Sequence, residues 1–289
     1  MKNIDWEKLA FEFQTTDVSL TKLGEREGVD RRTISKHFKD LGIEIINKQN
    51  RPKFNINVFD TIDTEEKAYW LGFIFADGYI GSTPIREDKK SVYNFELSLA
   101  LKDIEHLEKF KKFINFEKEI TKDSYRCRIM VSNKHFWTIL NNYGCTPNKS
   151  LTLFPNCIPD YLIRHFIRGY FDGDGCITRH VYINIVSPAI NVIGTSDFLN
   201  NIINYSDTTP NIRHDKRHSE ETLILEWHKD DGIKFINYLY KNSSIYLDRK
   251  FKLYNFFKDG SRSVKEFTEL SEGKIGETPN NLGQHRDNL

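Results

Sequence analysis

A repeated motif divides most of the chain into two related halves. Each copy has a glycine, four further residues, Asp-Gly and then an isoleucine two residues on, and the copies span Gly72–Ile80 and Gly169–Ile177. The offset between them is 97 residues. A repeat of this kind predicts that one structural unit occurs twice and that the two copies pack against each other.

Each motif is predicted to lie at the C-terminal end of a helix. Asp63-Thr64-Glu65-Glu66 has the residue types of an N-terminal capping box, and the second helix is expected to begin near Pro159-Asp160. Gly78 and Gly175 are the expected left-handed stops. Small residues recur every fourth position inside both helices, which places them on one face and favours close helix packing. These predicted helix-interface residues are Gly72, Ala76, Gly169 and Gly173.

The residues after each motif repeat the same order of elements. Alternating apolar residues predict strands, and apolar residues at helical spacing predict the helices that follow them. The predicted strands are 94–100, 126–131, 190–194 and 223–227, and the predicted helices are 103–113, 134–143, 197–203 and 232–239. Each half is therefore predicted to be roughly αββαββα, with two of its four strands not located individually, so the expected fold is α+β with two pseudo-symmetric repeats.

Two acids stand at corresponding places in the repeat. Asp77 and Asp174 fall in the last turns of their helices, where the helix dipole disfavours a carboxylate by about 0.3–1 kcal/mol. If the helices pack in parallel, the two carboxylates converge, and a bound cation would offset the repulsion. Oxygen ligands without a nearby His/Cys set favour Mg²⁺, with Mn²⁺ as a substitute. The predicted metal-site residues are therefore Asp77, Gly78, Asp174 and Gly175, and the alternative is that Asp-Gly simply ends each helix.

Residues 1–43 are predicted to form a small all-α module of the helix-turn-helix type. Ser19 is a candidate N-cap for the helix 20–27, Gly24 allows close helix packing, and Gly28 allows a left-handed turn. The last helix, from Arg31, is basic and would enter a DNA major groove. Its candidate DNA-binding residues are Arg31, Arg32, Thr33, Ser35, Lys36 and Lys39. The alternative is a packing module whose basic helix is only solvated.

Composition and charge restrict the remaining possibilities. The chain has 289 residues and a net charge of +1, which does not favour a bulk nucleic-acid coat protein. Its four cysteines are scattered singly, which favours a reducing compartment. No apolar run reaches the length of a membrane span, and no targeting signal is visible. We therefore expect a cytoplasmic protein of a bacterial or phage-infected cell, or a protein of an organelle. The predicted segments are a module at 1–43, a linker at 44–61, repeats at 62–155 and 156–258, and a flexible tail at 259–289. Within the tail, 264–270 is a candidate for one or two helical turns.

The paired motifs resemble those of the LAGLIDADG homing endonucleases in their single-chain, two-motif form, over about residues 62–257. The resemblance implies that two sheets form a saddle over DNA, with Asp77 and Asp174 as the metal-binding acids. It also implies that Lys149 and Lys250 are the basic active-site residues. One position departs from the family pattern, because Phe75 replaces the first acid of the motif, which the second copy keeps as Asp172.

The resemblance implies a monomeric, divalent-metal-dependent nuclease that cuts both strands of a long, asymmetric double-stranded DNA site, as in intron homing by mobile genetic elements. Strand residues would read the DNA, although each of them also fits a solvated surface position. The candidates are Arg86, Arg126, Arg128, Arg179, Arg213 and Lys216, with His180 beside them. The alternatives are a catalytically silent DNA-binding regulator and an RNA maturase on the same scaffold. No membrane partner is expected.

Overall fold

The structure is a computed structural model. It describes residues 4–15, 18–43, 53–84, 91–146, 154–155, 157–182, 185–214, 222–260 and 263–271. The chain divides into two compact units, Met1–Lys53 and Phe54–Leu289. Each unit has its own buried core.

The first unit contains three short helices: α1 Trp6–Thr15, α2 Leu20–Glu27 and α3 Arg31–Asp40. The N-cap of α2 is Ser19, whose hydroxyl accepts a hydrogen bond from the N–H of Lys22 at 3.2 Å. Gly28 ends the helix in the left-handed region, with φ of 72°. The expected turn chemistry is therefore present, since a side chain at this φ would be strained.

The turn between α2 and α3 is tight. A Cβ on Gly24 would lie 2.7 Å from the carbonyl oxygen of Val29, so glycine is needed where the two helices meet. The core beneath the turn is apolar, because Leu23, Ile34 and Phe38 have no exposed surface. This arrangement leaves the basic residues of α3 on the outside of the unit.

The second unit contains the two repeats in the predicted order. The first repeat consists of α4 Glu65–Asp77, β1 Gly78–Pro84, β2 Ser91–Ala100, α5 Ile104–Phe113, β3 Thr121–Lys122, β4 Arg126–Ser132 and α6 Lys134–Tyr143. The second consists of α7 Asp160–Asp174, β5 Cys176–Tyr182, β6 Ile185–Thr195, α8 Ser196–Ser206, β7 Asn211–His214, β8 Thr222–His228 and α9 Lys229–Tyr240. Two helices follow, α10 Asp248–Lys258 and α11 Val264–Ser271.

The two sheets have the same topology. Their strand orders are β1-β2-β4-β3 and β5-β6-β8-β7, and all the pairings are antiparallel. One face of each sheet is buried, as Leu97 and Ile129 are in the first and Val192 and Leu225 are in the second. The duplicated αββαββα prediction is confirmed.

The two motif glycines do not adopt the expected left-handed conformation. Gly78 has φ of −71° and Gly175 has φ of −78°, so the chain passes directly from helix to extended strand. Glycine is required here for space instead. A Cβ on Gly78 would lie 2.7 Å from the carbonyl oxygen of Ile74, and one on Gly175 would overlap the ring of Phe171.

Two predicted boundaries also differ from the structure. Val58 and Phe59, at the end of the predicted linker, are buried in the core of the second unit because an apolar pair gains more from burial than from solvent exposure. The beginning of the predicted tail contains α11, whose Phe267 is buried against Phe256 and Phe257. No helix in the described part of the chain is long and apolar enough to cross a membrane.

Candidate active site and nucleic-acid interface

Helices α4 and α7 touch backbone to backbone. A Cβ on Gly72 would lie 2.9 Å from the backbone nitrogen of Tyr170, and a Cβ on Gly169 would lie 2.8 Å from that of Phe73. Each would come closer still to a carbonyl oxygen of the facing helix. The two contacts are related by the 97-residue offset, so the crossing has approximate two-fold symmetry.

This crossing brings the two motif acids to the same end of the helix pair. The contacts advance in the same direction along both helices, so α4 and α7 are parallel. Asp77 ends α4 and is half-buried, and Asp174 ends α7 and is exposed. A Cβ on Gly173 would lie 3.2 Å from Oδ2 of Asp77 and would overlap Cβ of Ala76. The Asp77 carboxylate therefore lies beside the residue that precedes Asp174.

The chemistry of these residues fits a hydrated hard cation rather than a closed protein cage. The described residues contain no group of three or more His, Cys, Asp or Glu side chains arranged to hold a metal. Mg²⁺ is commonly held by one or two carboxylates, with waters and substrate phosphates completing its shell. Asp77 and Asp174 meet that requirement.

Lys250, the predicted basic active-site residue of the second half, is buried. Only 3% of its surface is exposed, and its ammonium donates hydrogen bonds to the carbonyl oxygens of Phe171 at 2.5 Å, Asp172 at 2.9 Å and Gly175 at 2.5 Å. An ammonium has three protons, so all of its donor capacity is used at the end of α7. Backbone carbonyl groups thus hold the ammonium of Lys250, and its action on phosphate charge or on the attacking water stays a prediction.

The carbonyl oxygen of Gly175, a predicted metal ligand, accepts one of these hydrogen bonds, which uses one of its two lone pairs. Burial lowers the pKa of Lys250 to about 8, against the opposing attraction of the Asp172 carboxylate. Burial raises the pKa of Asp172, while the Lys250 ammonium and three hydrogen bonds act to lower it. Asp172 and Lys250 thus form a buried pair of charged groups beside the exposed acid that ends α7.

The unburied face of the first sheet carries two of the predicted DNA-binding residues. Arg126 is exposed and Arg128 is half-buried, and both alternate along β4 with the buried Cys127 and Ile129. On the second sheet, Arg213 is exposed and forms an ion pair of 2.7 Å with Glu226. These arginines lie on outward-facing positions, where a polyanion has access to them.

Arg179 is on the wrong side of its sheet for the predicted DNA contact. It has the strand parity of the buried Ile177, and its guanidinium lies over the ring of Phe267, 4.7 Å from the centroid. Successive side chains of a strand point to opposite faces, so the neighbouring His180 lies on the outward face. There the His180 ring lies 5.0 Å from that of His228.

The predicted recognition helix presents its polar residues to solvent. Arg31, Arg32, Thr33, Lys36 and Lys39 are exposed, and Ser35 is half-buried. Three further predicted site residues, Arg86, Lys149 and Lys216, lie outside the described residues.

Sequence reasoning missed a buried polar cluster at the base of the helix pair. In one part, Tyr69 and Tyr240 donate hydrogen bonds of 2.7 and 2.5 Å to Asp172. In the other, Arg168 donates to Glu65 at 2.8 Å, and its guanidinium lies over the ring of Tyr69. The signal was present in the repeat itself. Arg168 and Asp172 occupy positions that are apolar, Leu71 and Phe75, in the first copy. A polar residue at a position that is apolar in the other copy indicates a polar group in the core.

The fold is similar to that of solved structures of LAGLIDADG homing endonucleases. The structure resembles that of the LAGLIDADG homing endonuclease I-LtrWI bound to target DNA, with 15% identity, a TM-score of 0.51, and coverage of 74% of this chain and 99% of that one. It also resembles a point mutant of I-SmaMI, with 15% identity, a TM-score of 0.52, and coverage of 73% and 99%. For I-SmaMI bound to uncleavable DNA, the identity is 16%, the TM-score 0.50, and the coverage 73% and 98%.

No protein-family model and no curated protein matches the sequence. The resemblance therefore lies in structure, and it concerns about three quarters of the chain. The chain has the fold of the single-chain, two-motif LAGLIDADG homing endonucleases.

Proposed function

We propose that this chain is a site-specific endonuclease that hydrolyses a phosphodiester bond on each strand of a long DNA target. The observation that carries the proposal is the pair of acids at the adjoining ends of α4 and α7. Two glycines with no room for a side chain hold these ends together, and the fold is that of proteins such as I-LtrWI, which was solved on its target DNA. A double-strand cut needs two reaction sites, and the two-fold arrangement provides one acid for each.

The acids would hold divalent metal, and Mg²⁺ fits their oxygen donors best. A bound cation would neutralise phosphate charge and supply an activated water. Asp77 and Asp174 would hold that cation, and Lys250 would keep the end of α7 in place through its three carbonyl contacts. Lys149 is the corresponding residue of the first half in this proposal.

The outward sheet faces would contact the DNA. Two-stranded and larger β surfaces can enter a major groove, where arginine bonds to guanine edges and to phosphates. Arg126 and Arg128 are the described candidates on the first sheet. Arg213 is the candidate on the second sheet, where release from Glu226 would accompany its contact with DNA.

The first unit would bind the same DNA molecule through α3. Because the two units belong to one chain, binding of the second unit to DNA would raise the effective concentration of α3 at the same DNA molecule.

The test of catalysis is cleavage of DNA that carries the fused flanks of the element encoding the chain, with Mg²⁺ or with EDTA. Asp77→Asn and Asp174→Asn should each lower the cleavage rate at least about 100-fold, because each removes metal-directed charge stabilisation. Asp259→Asn is the matched control, since Asp259 is another exposed acid at a helix end of the same unit.

Tight binding without metal-dependent cutting, unchanged by the two substitutions, would contradict the nuclease and support a silent regulator. Preference for intron RNA over duplex DNA would support a maturase. For the first unit, an Arg31→Ala/Lys36→Ala variant should bind DNA more weakly, and its salt dependence should fall by about 0.9 for each phosphate that the variant no longer binds. Lys8→Ala, on the exposed part of α1, is the control, and equal affinities of the two variants would exclude a role for α3.

A further inference from the structure

One buried carboxylate connects the end of α7 to the segment that precedes α10. Asp172 has no exposed surface. It accepts hydrogen bonds from the hydroxyl groups of Tyr69, at 2.7 Å, and Tyr240, at 2.5 Å. A third hydrogen bond, of 2.7 Å, comes from the backbone N–H of Leu247. The donors belong to α4, α9 and the segment before α10, so this one residue joins three elements to α7.

Two more charged residues hold the same segment. The Glu65 carboxylate accepts hydrogen bonds from the backbone N–H of Ser244 at 2.7 Å and from the guanidinium of Arg168 at 2.8 Å. Arg168 in turn donates to the carbonyl oxygen of Ile245 at 2.9 Å. Between Ser244 and Leu247, three of the four residues thus have a backbone group bound by a side chain of α4 or α7.

This segment determines where Lys250 lies. Lys250 is in the first turn of α10, three residues after Leu247, and its ammonium binds the last carbonyl groups of α7. Those carbonyl groups surround Asp174, the acid of the second half. A displacement of the segment would therefore move the ammonium and, with it, the end of the helix that presents Asp174.

Among the described residues, the first half has no equivalent of this connection. Phe75 occupies the position of Asp172, and it packs edge-to-face on Phe166 with ring centroids 5.1 Å apart. Phe166 is itself the counterpart of Tyr69, and the counterpart of Arg168 is Leu71. The first half thus has apolar packing of Phe75 on Phe166 at the positions where the second half has the buried hydrogen bond between Asp172 and Tyr69.

We infer that Asp172 is a positioning residue for one of the two cleavage sites, and that it acts by holding residues 244–250 so that Lys250 fixes the end of α7. The inference rests on the proposed endonuclease function. Its distinctive consequence is inequality between strands, because Phe75, at the corresponding position of the first half, has no carboxylate with which to hold such a segment. A functional group held by a supporting shell loses its productive geometry when that shell is removed.

The experiment uses the full chain and a target duplex with each strand labelled separately, under single-turnover conditions. Asp172→Asn should slow cleavage of one strand about tenfold or more and leave the other within about threefold, so that nicked duplex accumulates. Tyr240→Phe, which removes one donor and keeps the carboxylate, should produce the same bias at smaller size and serves if Asp172→Asn does not fold. Thr208→Val is the matched control, because it removes buried hydrogen bonds to Trp227 and Ser206 in the same half without touching the segment. It should show no strand bias.

Amide hydrogen exchange provides a readout that does not depend on cleavage. In Asp172→Asn, exchange over residues 244–250 should rise about tenfold or more, while α4 exchanges as in the unaltered protein. Equal slowing of both strands, or unchanged exchange over 244–250, would overturn the inference. If the unaltered protein cuts no DNA, the nuclease proposal fails, and the exchange result alone decides whether Asp172 holds this segment.

Discussion

Replacing Gly169 with alanine should push α7 away from α4. The new methyl group would overlap the carbonyl oxygen of Tyr69 and would lie 2.8 Å from the backbone nitrogen of Phe73. Ordinary contacts begin near 3.4 Å, so relief of the contact with Phe73 alone requires about 0.6 Å, and the overlap with Tyr69 requires more. A gap of that size forfeits a quarter to a half of the dispersion energy along the interface. The obstructing atoms are backbone and cannot rotate away, which places the overpacking cost near about 3 kcal/mol. The better helix propensity of alanine returns about 1 kcal/mol.

The net expectation is a loss of about 2 kcal/mol or more in the free energy of unfolding. For a unit of this size, that loss corresponds to a decrease in Tm of about 4–8 °C. Thermal unfolding followed by circular dichroism measures it. Gly72→Ala should have a similar effect, because its surroundings are related to those of Gly169 by the two-fold symmetry.

Gly232→Ala provides the control for this reasoning. Gly232 also lies in a helix, α9, but a Cβ there would meet its nearest neighbours at 3.3 Å or more. This variant should be neutral or more stable by up to about 1 kcal/mol. If Gly169→Ala is no less stable than Gly232→Ala, the close backbone contact between α4 and α7 does not constrain the fold.

Three further predictions concern charge. Arg128→Ala should weaken DNA binding and reduce its salt dependence by about 0.9, without a change in Tm, as measured by fluorescence anisotropy at several KCl concentrations. Arg179→Ala should lower Tm and leave DNA binding unchanged, because the Arg179 guanidinium covers the ring of Phe267. Weaker DNA binding at unchanged Tm would show that Arg179 contacts DNA instead. Burial lowers the pKa of His106 to about 3, so the unfolded chain takes up a proton below about pH 6.5 that the folded chain does not. The free energy of unfolding should therefore fall as the pH decreases from about 6.5 towards 4. In His106→Gln, the slope of this free energy against pH, measured by urea unfolding, should be smaller by about 1.4 kcal/mol per pH unit. Equal slopes in the variant and the unaltered protein would contradict the prediction.

The order of elements was predictable because two independent signals agree. Hydrophobic periodicity located helices such as α6, and the repeat required each element to occur twice. Strands β1 and β5 were not located individually, since they follow their helices without any turn residues other than the motif glycine. Gly78 and Gly175 were expected to be left-handed because a glycine commonly ends a helix in that conformation. They are extended because each strand begins directly after its helix.

Individual side chains were less predictable than the fold. The face of Arg179 could have been inferred from its parity with Ile177 and Val181, which are both apolar. The burial of Lys250 could not, because lysine is almost never fully buried unless it is paired, and its carbonyl partners are 75 or more residues away in sequence. Long-range pairing of this kind has no local signature in a single sequence.

The exchange of Phe75 for Asp172 has a consequence for how such a molecule can change over generations. In a symmetric dimer of identical subunits, one codon would specify both positions, so a buried carboxylate on one side would bring a second carboxylate on the other. A gene that encodes both halves in tandem removes this coupling. Each half can then acquire its own internal chemistry, while the backbone contact at Gly72 and Gly169 keeps the two in register.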